Sequence, residues 1–228
     1  MTRQTAVQIF YRMIAFLFAI SVHESAHAWT ASRCGDPTAR MLGRVSLNPI
    51  RHIDPIGTIV LPLIAAYQFG GLIGWAKPTP VDPRNFRHPV MDDVLTSVAG
   101  PVSNFIVATG ALLILGCISL LSATGHTIIM GLSGGFDVGV SDSMWVPIVM
   151  LLYMLMVVNV WLAVFNLIPV PPLDGSHVLR HFLSDPVRMA YDRIGIFALM
   201  ALVFLAPSLL SSFIDPPVNF YRSILVKF

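Results

Sequence analysis

Three stretches of the chain, residues 94–136, 143–173 and 194–214, contain no Asp, Glu, Lys or Arg. A helix needs about 20 apolar residues to cross the hydrocarbon core of a bilayer, so each run is long enough to span one. Backbone in lipid must satisfy its own hydrogen bonds, and continuous apolar runs do so as helices. Only 11% of the 228 residues are charged, against roughly 25% in a soluble domain. The expected fold is an all-α polytopic membrane protein, a single domain over residues 1–228. The bilayer is its first partner. No basic run suggests nucleic acid.

Four main spans are expected, at about 6–31, 91–121, 144–170 and 190–213. The Gly/Ser-rich stretch after 121 reads as a loop. Residues 55–76 are apolar but broken by Pro62, Gly70, Gly71 and Gly74, and either cross the membrane or enter and leave on one side. Charge decides. If they do not cross, Arg33, Arg40, Arg44, Arg51, Lys77, Arg84, Arg87, Arg180, Arg188 and Arg193 share one face, and Arg3, Arg12, Arg222 and Lys227 lie towards the other. If they cross, the bias nearly vanishes. Basic loops stay cytoplasmic, so 55–76 is expected to be re-entrant and the N-terminus to lie outside. The loop carrying Asp137 and Asp142 then also faces outward. Within 38–90 the stretches "GRVSLNPI" and "WAKPTPVDP", rich in turn formers, read as loop with short β pieces. The tail, 216–228, reads as an interfacial segment. Cys34 and Cys117 sit in different environments, so no disulfide is expected.

The first span holds His23-Glu24-Ser25-Ala26-His27, and Glu24 is the only glutamate in the chain. Arg3 and Arg12 ahead of an apolar stretch, with Ala26-His27-Ala28 after it, have the outline of a cleaved leader. Imidazole and carboxylate groups so near a cleavage point weigh against that, and the segment is read as a retained helix. On a helix, His23 and His27 share a face and can bind one metal ion, with Glu24 beside it as a proton carrier. The plainer alternative is a polar helix end among headgroups. Ionisable groups inside a span are costly, about 2.5–3.5 kcal/mol on insertion scales, and usually mark function.

A catalytic zinc site normally takes three protein ligands. Asp174, after a long charge-free run and before Gly175, ends a span that returns to the same face as the histidines if 55–76 is re-entrant. His177 competes for the role, and His52 and His88 are further options among loop residues. Asn166, eight residues before Asp174, either binds substrate or bridges helices. Asn104, in the Ala99-Gly100-Pro101-Val102-Ser103-Asn104 stretch, raises the same question. There Gly100 and Pro101 read as helix packing and helix start, and Asn159 as a structural amide.

The H-E-x-x-H helix, the A-G-P-x-x-N span and the N-x-x-P-x-P-P-L-D-G element, in that order, resemble the site-2 protease family of intramembrane zinc metalloproteases. The resemblance covers about residues 10–183, and the "GDPTARMLGRVSLNPIRHIDPIGT" and "WAKPTPVDPRN" stretches look like its compact bacterial and archaeal members. It implies one zinc ion per chain on His23, His27 and Asp174, with Glu24 as the catalytic base. Asn166 is implied as a substrate-side residue. The substrates implied are membrane proteins with single transmembrane segments, cut near the cytoplasmic side. No insert is long enough for the PDZ domain of some relatives, which leaves 55–76 as the candidate gate. Two rivals stand beside this reading. A metal-ion transporter has no need of Glu24 and would commonly show repeated halves. A non-catalytic partner-binding protein has no need of the full set of reactive groups.

Overall fold

The computed structural model describes residues 3–69, 74–134 and 143–228. Helix α1 (Arg3–Cys34) is followed by the short α2 (Thr38–Met41). A wide helical turn, Pro55–Val60, runs into α3 (Leu61–Phe69). Two long helices follow, α4 (Pro89–Leu121) and α6 (Trp145–Leu167), with α5 (Ala123–Ser133) between them. The chain closes with α7 (Asp174–Arg180), α8 (Asp185–Phe204) and α9 (Pro207–Leu225). Helices α1, α4 and α6 are long and apolar enough to cross a membrane, and α8 with α9 could form a broken fourth span.

Lipid is as apolar as leucine, so these helices associate through close packing and buried hydrogen bonds rather than through hydrophobic drive. Helix α1 accordingly presents Ala15, Ala19, Ala28 and Ala31, all fully buried. Leu112, Leu115, Ile129 and Met156 fill the space between α1, α4, α5 and α6. Two buried amides link three spans. Asn104 Nδ2 donates to Ala19 O at 3.1 Å and to Asn159 Oδ1 at 2.7 Å, and Asn159 Nδ2 donates to Leu155 O. Phe10, Ile14, Phe18 and Trp29, on the opposite stripe of α1, face outward.

The expected span at 190–213 is instead broken at Leu205-Ala206, with α8 and α9 meeting at 80°. Pro207, which cannot continue a helix but is suited to start one, opens α9 there. The expected interfacial tail is the second half of α9. Ile214 and Val218 pack against Ala108 and Val160, and Leu225 enters the main core. Arg222 lies over the Tyr153 ring at 6.0 Å. The stretch after 121 holds α5, nucleated by the Ser122 side chain accepting from Gly125 N. Asp137 and Asp142 lie outside the described residues.

Residues 55–69 are helical, yet the segment begins and returns at one place. Lys77 N donates to His52 O at 2.9 Å, Trp75 N to Gly57 O at 3.0 Å, and Thr58 Oγ1 to Trp75 O at 2.7 Å. Gly57 permits this closure, since a Cβ there would overlap the Trp75 ring. Residues 52–58 and 75–77, on either side of α3 in the chain, therefore lie together.

No strand occurs among the described residues, so the β pieces expected around it are loop and short helical turns. Pro49, Pro55, Pro78, Pro80 and Pro83 remove the ladder donors a strand would need. The extended backbone is held by side chains instead. Buried Arg44 donates to Arg51 O, to Lys77 O at 2.9 Å and to Pro78 O at 2.7 Å. Asp36, fully buried, accepts from Thr38, Asp82 N and Asn85 Nδ2. Burial pushes its pKa up, but those hydrogen bonds outweigh it and hold the carboxyl below its ordinary value.

Candidate metal centre

Helix α1 carries His23 and His27 one turn apart, with ring centroids 4.6 Å from each other. Each imidazole is fixed through its Nδ1 by helix α4. His23 Nδ1 lies 2.6 Å from Asn104 Oδ1, and His27 Nδ1 lies 2.7 Å from Thr96 O. Both partners are oxygen acceptors, so each Nδ1 donates to helix α4 and each Nε2 is left facing the interior of the cluster. Such anchoring is what metal-ligating histidines need.

Both Nε2 atoms point towards Asp174, the first residue of α7. Asp174 Oδ2 is 3.1 Å from His23 Nε2, and Oδ1 is 3.4 Å from His27 Nε2. One donor atom from each residue lies within 4.8 Å of the others. Burial pushes the Asp174 carboxyl up. The nearby imidazoles, His27 first, outweigh that and hold it well below the usual carboxylate range.

Gly100 completes the cradle. A Cβ there would overlap His27 Nε2 and stand 2.7 Å from His23 Nε2. The space beside the two Nε2 atoms exists because α4 has no side chain at this point.

Glu24 is half-buried beside this cluster. Its Oε2 accepts from Thr79 N at 2.9 Å, and its carbonyl accepts from Thr79 Oγ1 at 3.1 Å. The extended 74–81 segment held by Arg44 is what brings Thr79 here.

A model of peptidase family M50 matches residues 11–206. The chain belongs to peptidase family M50. Among its relatives is "Putative zinc metalloprotease YwhC" of Bacillus subtilis, 34% identical over 95% of this chain and 90% of that protein. "Putative zinc metalloprotease Rip2" of Mycobacterium tuberculosis is 29% identical over 88% of this chain and 69% of that protein. The Mycolicibacterium smegmatis protein of the same name is 28% identical over 81% and 62%. No solved structure matches the chain.

In this M50 member the structure gathers His23, His27 and Asp174 and sets Glu24 beside them. It does not gather the others. His177 and His181 turn to Asp93, and His52 is buried in the loop, 2.7 Å from Ser46 O. Asn166 is half-buried and donates back to Leu162 O in its own helix. Asn104, considered for substrate, is fully buried and spends its amide on His23, Ala19 and Asn159. Pro101 lies inside α4, twelve residues after the helix begins, and not at its start. Sequence reasoning missed Thr96, whose contribution is a backbone carbonyl, and missed Gly100's place against the imidazoles. The four-residue spacing of Thr96, Gly100 and Asn104 puts all three on one face of a helix and was the available signal.

Proposed function

We propose that this membrane-embedded peptidase hydrolyses peptide bonds in or near the transmembrane segments of single-span membrane proteins. It would do so with one zinc ion held by His23, His27 and Asp174. The observation that carries this reading is the convergence of those three donors, from two separate elements, on a cradle left open by Gly100. Asp174 Oδ2 is buried, faces His23 Nε2 at 3.1 Å and makes no hydrogen bond of good geometry, which suits an oxygen that shares a cation with that imidazole. Two imidazoles and a carboxylate form a donor set suited to zinc, with a position left for reaction.

Zinc in such a set supplies Lewis acidity that activates water and polarises a carbonyl. The chain supplies the rest. Thr79 N–H holds one oxygen of Glu24, leaving Oε1 to take a proton from the attacking water and deliver it to the leaving amine. Asn104 and the Thr96 carbonyl keep both imidazoles in the metal-binding tautomer. We assign Asn104 this positioning role, and Asn104→Ala should weaken zinc binding roughly 10- to 100-fold. An unchanged affinity in a chelator competition would remove that assignment. Asn166 keeps a substrate-side reading only through its place on the last turns of α6.

Substrate helices hide their backbone, so a segment must unwind before it can be cut. The test is a panel of purified single-span reporters, with Gly or Pro near the expected cut or with an unbroken leucine helix. Cleavage should favour the weakened helices, stop when a chelator strips the metal and return with added zinc. Equal cleavage by the metal-free protein would sink the proposal.

The ten basic residues on the site's side of the chain support placing that side in the cytoplasm. A lone cysteine at exposed Met41, in a background lacking Cys34 and Cys117, should react with an impermeant thiol reagent only in inverted vesicles. Labelling of intact cells would reverse the orientation.

A further inference from the structure

The same face of α4 that serves the two histidines also carries Asp93, and Asp93 faces α7. We propose that Asp93 is the positioning residue for Asp174, acting through His177 and His181. The inference rests on the metal-centre reading above.

Helix α7 has a placement problem. It is seven residues long, far below the length at which a helix is stable alone. The chain reaching it contains Pro169, Pro171 and Pro172, none of which can donate a backbone hydrogen bond. Asp174 sits on its first residue, so any play in α7 is play in the third donor. A ligand constellation must be held to within about 0.5 Å to function.

Two contacts fix the helix. At its first turn Gly175 lies directly on the end of α6, where a Cβ would stand 2.6 Å from Leu167 C and 2.9 Å from Ile168 O. That contact sets how close the first turn of α7 comes to α6. The second contact is chemical. His181 Nε2 is 2.8 Å from Asp93 Oδ2, and His177 Nδ1 is 3.4 Å from Asp93 Oδ1. Four residues apart, the two imidazoles face the two oxygens of one carboxylate, His181 within hydrogen-bond distance and His177 at a longer approach that makes no hydrogen bond. The Asp93 side chain is only 12% exposed, so it is withdrawn from competing water.

Helix α4 therefore serves all three donors from one side. Asn104 orients His23, the Thr96 carbonyl orients His27, and Asp93 orients the helix that bears Asp174. Asp93 pairs with His177 and His181 and not with Asp174 itself, so its effect on the metal must pass through the placement of α7.

Asp93→Asn keeps the shape and removes the charge, and His181→Gln tests the same contact from the other side should the first variant fail to fold. Zinc affinity is measured by chelator competition on the purified full chain, and the visible absorption of the cobalt(II)-loaded protein reports ligand geometry. The expected result is zinc binding roughly 10- to 100-fold weaker, an altered cobalt spectrum, and little change in the melting of the metal-free protein. The double variant should lose no more than the worse single one, because both act through one contact. Wild-type affinity and spectrum in both single variants would overturn the inference and leave the metal centre standing. A wild-type protein that binds no zinc would instead overturn the metal-centre reading, and this inference with it.

Discussion

Gly100→Ala is expected to give a folded protein that carries almost no zinc and has no peptidase activity. The added methyl would overlap His27 Nε2 and meet His23 Cε1 at 2.6 Å and His23 Nε2 at 2.7 Å. Neither imidazole can swing aside cheaply, since each Nδ1 is tied to α4 itself, through Asn104 and the Thr96 carbonyl. The relief available is a shift of α1 away from α4, at the ~1–3 kcal/mol typical of an overpacked core. That shift would leave the fold standing but would separate the histidines from Asp174. Metal content by elemental analysis checks it. Gly110→Ala, on the same helix where a Cβ meets nothing within 4 Å, should keep full zinc and full activity. Full zinc in Gly100→Ala would mean that the cradle is elsewhere.

Glu24→Gln should have the opposite separation: zinc kept, hydrolysis lost. The amide preserves the length of the side chain and can still accept from Thr79 N, so the local structure is undisturbed. It cannot take a proton from water. Positioned general acid–base groups contribute roughly 10²–10⁴ in rate, and a fall of that size is expected in single-turnover cleavage of a reporter. A rate within a few-fold of wild type would take the proton-carrying role away from Glu24. Loss of zinc along with activity would show that the carboxylate is needed to build the site rather than to run it.

These two variants also divide what the sequence revealed from what it concealed. Glu24 and its flanking histidines are legible because their chemistry is local: four residues on a helix fix a shared face. Asp174 was reachable through topology, since only a re-entrant 55–76 returns its span to the histidines' side. Gly100 was not legible as part of the site, because its contribution is an absent side chain facing a helix some 75 residues away in the chain. Thr96 acts through a carbonyl that any residue would supply. Asn104 carried no sign of its partner, and an amide fit for substrate is equally fit for an imidazole.

The same limit shaped the fold. Charge-free runs located α4 and α6 because lipid imposes a length, and the apolar stretch leading to the histidines located α1. Hydropathy counts residues without regard to direction, so it ran on through Leu205 and Ala206, where the chain turns by 80°. In α9 the stripe Leu210, Ile214, Val218, Tyr221 and Leu225 has a spacing that suits burial in a bilayer surface or against other helices. Only the neighbouring Ala108 and Val160 show which of the two applies.

The central claim, that His23, His27 and Asp174 together hold the metal, is tested most directly by zinc K-edge X-ray absorption on the purified wild-type chain. Nitrogen and oxygen neighbours at about 2.0–2.2 Å, with the outer-shell scattering of two imidazoles, are predicted. A sulfur neighbour at about 2.3 Å, or a shell without imidazole, would contradict it.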